Sequence, residues 1–170
     1  MSWSKTILAA GLLLLMGCGF QPLYGRQADA PAISDQLALI YVDPIESRAG
    51  QILRNHLLDR LTPLGARAEA RYRLSVDLRF SQQSVALEKD KTVTRKNLTV
   101  TVDYTLRDVT ERTTLARGSA RTVAAFNVVQ SDFATLSAKR DAERRAVQEL
   151  GEEITTRLAV FFTGQRTEGS

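Results

Sequence analysis

Two stretches of strict period-two alternation constrain this chain more than any other feature. Tyr72, Leu74, Val76, Leu78 and Phe80 alternate with Arg71, Arg73, Asp77 and Arg79. Leu98, Val100, Val102, Tyr104 and Leu106 alternate with Thr99, Thr101, Asp103, Thr105 and Arg107. Successive side chains of a strand point to opposite faces, so each stretch is a strand with one apolar and one polar face. Such strands need a covering layer on one side and leave the other to water or a polar partner.

The covering layer is also legible. Ile45, Ala49, Ile52, Leu53, Leu57 and Leu61 recur at three- and four-residue steps, which predicts a helix over Glu46–Leu61 with Pro63 and Gly65 closing it. Ser131-Asp132 offers an N-cap for a long C-terminal helix to about Phe161. Leu136, Ala146, Val147, Leu150, Ile154, Leu158 and Phe161 form its expected buried stripe, and Gly164 its end. Gln36–Asp43 reads as a first strand ended by Pro44, and Leu115 to Val129 as a further one after a long arm or loop over Gln82–Lys96. The order is β-α-β-β-β-α. The expected fold is α+β, a two-layer sandwich in which a four-stranded, mainly antiparallel sheet carries two helices on one face.

The N-terminus sets the compartment. Lys5 precedes an apolar run from Ile7 to Met16, about half the roughly 20 residues a membrane-spanning helix needs. The pattern is that of a secretory signal peptide. Leu15-Met16-Gly17-Cys18 resembles the bacterial lipobox, in which a diacylglycerol is attached to the cysteine and cleavage falls just before it. Cys18, the sole cysteine of the chain, is the expected attachment site. Two or three acyl chains, palmitate among them, anchor a protein stably where one does not. Gly19 stands where an aspartate would favour retention at the inner membrane, so the expectation is an outer-membrane anchor facing the periplasm. The organisation read from this is a signal peptide over 1–17, a lipidated tether over 18–35, one domain over 36–164 and a polar tail over 165–170.

Chemistry is sparse. One cysteine and one histidine in 170 residues rule out a disulfide framework and a Cys/His zinc cluster. No phosphate-binding glycine loop, HExxH or GxSxG is present, and acids such as Asp103 and Asp108 are ordinary strand residues. His56 reads as the rim of its helix, and the Asn97-Leu98-Thr99 sequon as coincidence. No enzyme, cofactor or metal is expected. Charge says more: Arg67 to Arg121 holds twelve basic and seven acidic residues, while residues 18–66 and 122–170 each carry one more acidic than basic residue. The excess centres on the arm, at Lys89, Lys91, Arg95 and Lys96. These are either solubilising groups on an exposed edge or contacts to an anionic partner. The export signal argues against nucleic acid.

Cys18 to Gly25 reads CGFQPLYG, which resembles the start of mature lipoproteins of the LptE family, the alphaproteobacterial type in particular. The helix from Phe133 to Phe162 is similar to that family's last helix, and the element order agrees. The resemblance implies a non-enzymatic factor of lipopolysaccharide assembly. Such a factor plugs the outer-membrane barrel LptD, assists its folding and takes part in lipopolysaccharide transport to the outer leaflet. It would give Lys89, Lys91, Arg95 and Lys96 a ligand in lipopolysaccharide phosphates. The alternative is an accessory periplasmic lipoprotein of another envelope transporter.

Overall fold

The computed structural model describes residues 33–63, 65, 69–85 and 94–168. Its elements are α1 (Ile33–Leu37), β1 (Ile40–Val42), α2 (Arg48–Leu61), β2 (Tyr72–Val85), β3 (Thr94–Asp108), β4 (Thr114–Val128) and α3 (Asp132–Glu168). The four strands form one sheet in the order β1-β2-β3-β4. β2, β3 and β4 pair antiparallel, and β1 joins parallel to β2, with Ile40 opposite Tyr72 and Val42 opposite Leu74.

The α+β architecture with helices on one sheet face matches the sequence expectation; its details need three corrections. The first strand is shorter than the expected Gln36–Asp43, because Gln36 and Leu37 belong to a helix, α1, that raises the helix count among the described residues to three. Leu37 is buried, and the Tyr72 hydroxyl donates to Gln36 Oε1 at 3.0 Å, so this segment packs on the sheet's end instead of extending it. The arm over Gln82–Lys96 is narrower than expected, since pairing continues to Val85 opposite Arg95. Gly164 does not end α3, which runs on to Glu168.

Local chemistry explains the elements. α2 starts where the Ser47 hydroxyl accepts from the Gly50 N–H at 3.1 Å, one of the donors a helix start leaves unpaired. α3 starts where Ser131 Oγ accepts from the Ala134 N–H at 3.3 Å, as the Ser131-Asp132 pair predicts. The core lies between the sheet and the two long helices. Leu98, Val100, Val102 and Leu106 of β3 face Leu53, Leu57 and Leu61 of α2 and Leu150, Ile154 and Leu158 of α3, all essentially removed from water. At roughly 1.5–3 kcal/mol for each fully buried large apolar side chain, this cluster is the main stabilising term. The buried stripe of α3 also includes Ala142, and it ends on Phe162, 3% exposed, where Phe161 is expected. Phe162 meets Tyr72 with ring centroids 5.1 Å apart. Leu136 leaves the stripe: it is 44% exposed.

Candidate functional site

Opposite ends of the sheet differ in character. At the β1 end, the buried Asp108 caps the β3–β4 turn by accepting from the Thr110 N–H at 2.8 Å and the Glu111 N–H at 3.0 Å, and it pairs with Arg71 Nε at 3.0 Å. These backbone donors and the guanidinium hold its carboxyl below the ordinary aspartate range, against the opposing effect of burial. The same burial pushes the Tyr72 hydroxyl up. At this end the Asp108 carboxylate is fully engaged in holding the turn.

At the other end β2 stops at Val85 and β3 starts at Thr94. Arg95 sits between Val85 and Asn127, and Lys96 between Ser84 and Phe126. Arg95 is exposed. Lys96 is half-buried, on the face that carries Leu98 and Val100, so its stem extends the apolar row and its ammonium reaches past it. The chain then turns sharply from β4 into α3: Thr135 Oγ1 accepts from the Val129 N–H at 3.0 Å and donates to the Val129 carbonyl at 3.2 Å. That turn brings the first turns of α3 to the sheet end that holds Arg95 and Lys96. Phe133 is 79% exposed there, with Leu136 one turn on and Arg140 a further turn along the same stripe. Val85 and Val129 are also partly exposed at this end. Cations beside exposed apolar side chains suit an amphiphile with an anionic head.

Of the expected site residues, Arg95 and Lys96 therefore come together at one tip. Lys89, Lys91 and Cys18 lie outside the described residues. Leu136, expected in the buried stripe, is exposed here instead, and the sequence does not single out Phe133 or Arg140. A large aromatic residue in the first turn after the Ser131 cap, Phe133, is the available signal.

The sheet face turned away from the helices is the second candidate surface. It carries Thr99, Thr101 and Thr105 on β3, flanked by Arg73 and Arg79 on β2 and by Arg117 and Arg121 on β4. Arg73 approaches Asp43 at 3.7 Å, and Arg79 pairs with Asp103 and lies 3.9 Å from Asp77. Arg107, Arg117 and Arg121 make no ion pair among the described residues. No described helix covers this face, and among the described residues there is no acid or histidine cluster that could hold a metal. His56 is a packing residue, its ring against Gly151 and its Nε2 3.2 Å from Glu152.

Comparisons with known proteins agree with this architecture. The chain is similar, at 24% identity and TM-score 0.65, to the crystal structure of a candidate lipoprotein from Caulobacter crescentus CB15, over 78% of this chain and 96% of that one. A minor lipoprotein from Acinetobacter baumannii shares the fold at 15% identity and TM-score 0.54, over 71% and 91% of the two chains. An uncharacterized protein of Rickettsia prowazekii (strain Madrid E) is 25% identical over 149 residues, 88% of this chain and 91% of the relative. The family model described as "LptE: Lipopolysaccharide-assembly" matches residues 37–158, from the end of α1 to the Leu158 turn of α3. Over most of its length, core and both candidate surfaces included, this chain belongs to the LptE family of lipopolysaccharide-assembly proteins.

Proposed function

We propose that this protein is an outer-membrane lipoprotein, anchored through acyl chains on Cys18, that plugs the LptD β-barrel, assists its assembly and takes part in lipopolysaccharide transport to the outer leaflet. Membership of the lipopolysaccharide-assembly family gives this reading its direction. The observation that carries it to a barrel lumen is the uncovered sheet face. A threonine- and arginine-bearing face with no described helix over it is compatible with the polar, water-filled interior of an outer-membrane barrel. The amphipathic tip adds a contact for lipopolysaccharide itself: Arg95 and Lys96, with Lys89 and Lys91 on the same arm, match its phosphates, and Phe133 and Leu136 match its acyl chains. The role is binding and assembly, not catalysis.

The test is a tagged pull-down of the full chain from detergent-solubilised membranes, with copurifying proteins identified. A large outer-membrane barrel in near-equal amount supports the plug. Recovery alone, or with inner-membrane transporter subunits, rejects it in favour of an accessory lipoprotein of another envelope transporter. Charge reversal of Lys89, Lys91, Arg95 and Lys96 to glutamate then reports the lipid contact: lipopolysaccharide binding falls while barrel recovery persists.

A further inference from the structure

The two outermost strands treat their free edges differently. Backbone groups alternate in direction along a strand, so the odd-numbered residues of β4 turn theirs away from β3. There Arg157 of α3 reaches over and donates from Nη1 to the Ser119 carbonyl at 2.7 Å. β2 has no such cover. Its ladder with β1 ends where the Asp43 N–H donates to the Leu74 carbonyl at 3.0 Å. The next residue, Pro44, has no N–H, and the chain leaves the sheet for α2. Beyond that point Val76, Leu78 and Phe80 turn both backbone groups to an open edge, and no hydrogen bond among the described residues reaches them.

Natural sheets blunt such edges with proline, lysine, bulges or inward charges. The stretch Val76–Phe80 has no proline, lysine, bulge or inward charge; its two charges, Asp77 and Arg79, lie on the outer face and leave the inner face apolar. Val76 and Leu78 are only half-buried and Phe80 is 39% exposed. With Pro44, Ile45, Glu46 and Ser47 they line an open groove of about 370 Å³.

We propose that this edge pairs with the same edge of a second copy of the chain, antiparallel and about a two-fold axis at Leu78. Among axes at Asp77, Leu78 and Arg79, charge chooses this one, and it keeps the contact within the apolar stretch Val76–Phe80. It sets Asp77 directly opposite Arg79 of the second copy, and Arg79 opposite its Asp77, on the outer face. Centring the axis on Asp77 or on Arg79 instead sets like charges face to face, which is destabilising. On the inner face the same register sets Leu78 against its counterpart and Val76 against Phe80 of the second copy. That phenyl ring then falls beside Pro44 and Ile45 and fills the groove, and symmetry fills the other groove in the same way. Leu74 is already bonded to β1, so the new ladder stops at the β1 of each copy. The interface is isologous and closes at two copies, without growing into a fibre. It is a short interface, so the dimer exchanges readily. This goes beyond the barrel-plug reading and does not depend on it.

The test uses sedimentation equilibrium of the full chain in detergent over a concentration series. Wild type should associate in a concentration-dependent way to a dimer. Asp77→Arg and Arg79→Asp should each weaken association roughly tenfold, since two symmetry-related contacts turn from opposite to like charge. The double variant should recover it, and a mixture of the two single variants should form a heterodimer. Leu78→Cys should oxidise to a covalent dimer while Gln82→Cys, far from the axis, should not; the wild type controls for Cys18. The cysteine pair decides the matter if a charge variant disturbs the circular dichroism spectrum. A wild type that stays monomeric throughout overturns the proposal. So do single charge variants that associate as tightly as wild type, or equal cross-linking at positions 78 and 82. Cross-linking of Leu78→Cys to a barrel protein instead of to itself overturns it too, because the edge then serves that partner. Barrel recovery in the pull-down is read separately, so the two readings fail independently.

Discussion

Replacing Gly151 by alanine sets backbone preference against packing, and the structure says which wins. Gly151 lies in the middle of α3, where glycine costs about 1 kcal/mol relative to alanine, so propensity alone predicts a gain of that size. The added methyl, however, would stand 2.6 Å from His56 Cδ2 and 3.3 Å from Leu53 Cδ1. Leu53 is fully buried and has nowhere to go. The His56 side chain is only 17% exposed, and its Nε2, the ring atom next to Cδ2, lies 3.2 Å from Glu152. Glu152 is in turn paired with Arg60. Forcing an extra carbon into a packed contact costs typically 1–3 kcal/mol, so Gly151→Ala should destabilise the protein by about 1 kcal/mol net. With the ring removed, the balance reverses: in a His56→Ala background the same change should stabilise by about 0.5–1 kcal/mol. Urea unfolding of the wild type, both single variants and the double variant measures this, provided the m-value stays constant. A stabilising Gly151→Ala with His56 in place, or a coupling energy near zero, would refute the reasoning that α2 and α3 approach closely because position 151 lacks a side chain.

Three further outcomes are expected. Leu150→Ala, at a site fully removed from water, should cost about 2–5 kcal/mol in unfolding free energy by leaving a cavity between α3 and the sheet. Asp108→Asn should lower the melting temperature at neutral pH. Since the folded-state pKa of Asp108 lies below its unfolded value, the stabilisation is present above the ordinary aspartate range and is lost as pH falls through the folded value; the gap between variant and wild type should therefore close in acid, as thermal melts across pH will show. Phe133→Ser with Leu136→Ser should change stability by less than about 0.5 kcal/mol per site, because both side chains are exposed, yet should weaken binding to lipopolysaccharide micelles in a direct titration.

What could be read from the sequence follows from the range of the forces involved. The alternation in β3 is visible because Leu98 to Leu106 meet one continuous apolar layer, and the stripe of α3 is visible for the same reason. Asp108 continues that inward row and is 1% exposed, but nothing local marks it as buried: its partners are two N–H groups of a turn and Arg71, just before β2. Periodicity allows either Phe161 or Phe162 after Leu158, and the choice is made by Tyr72 across the core. The parallel direction of β1 is set by the path of α2, which no strand pattern records. The tip was half legible. Arg95 and Lys96 are conspicuous as charges, whereas Phe133, Leu136 and Arg140 join them only because Thr135 closes the β4–α3 turn.

Strand length ties these observations together. β2, β3 and β4 run to 14 or 15 residues, against five or six in an average strand, and the covering layer follows β3 and β4 farther than it follows β2. Burial along β2 falls accordingly, from Tyr72 at 5% and Leu74 at 0% to Phe80 at 39% exposed. The covered half contains the core, the Asp108 turn and the Tyr72–Phe162 contact; it folds the domain. In the far half β2 buries little, while Leu98 of β3 and Phe126 of β4 stay buried, so folding holds the two inner strands there and gains little from β2. That half is nevertheless where Arg95, Lys96, Phe133 and the open Val76–Phe80 edge are found. Stability and association should therefore separate along the strands: substitutions toward Tyr72 and Leu106 act on unfolding free energy, and those toward Phe80 and Lys96 act on partner affinity at nearly constant stability. A Phe80→Ser variant as destabilised as one at Leu74 would show that the far half of β2 is held by the fold itself and not kept for a partner.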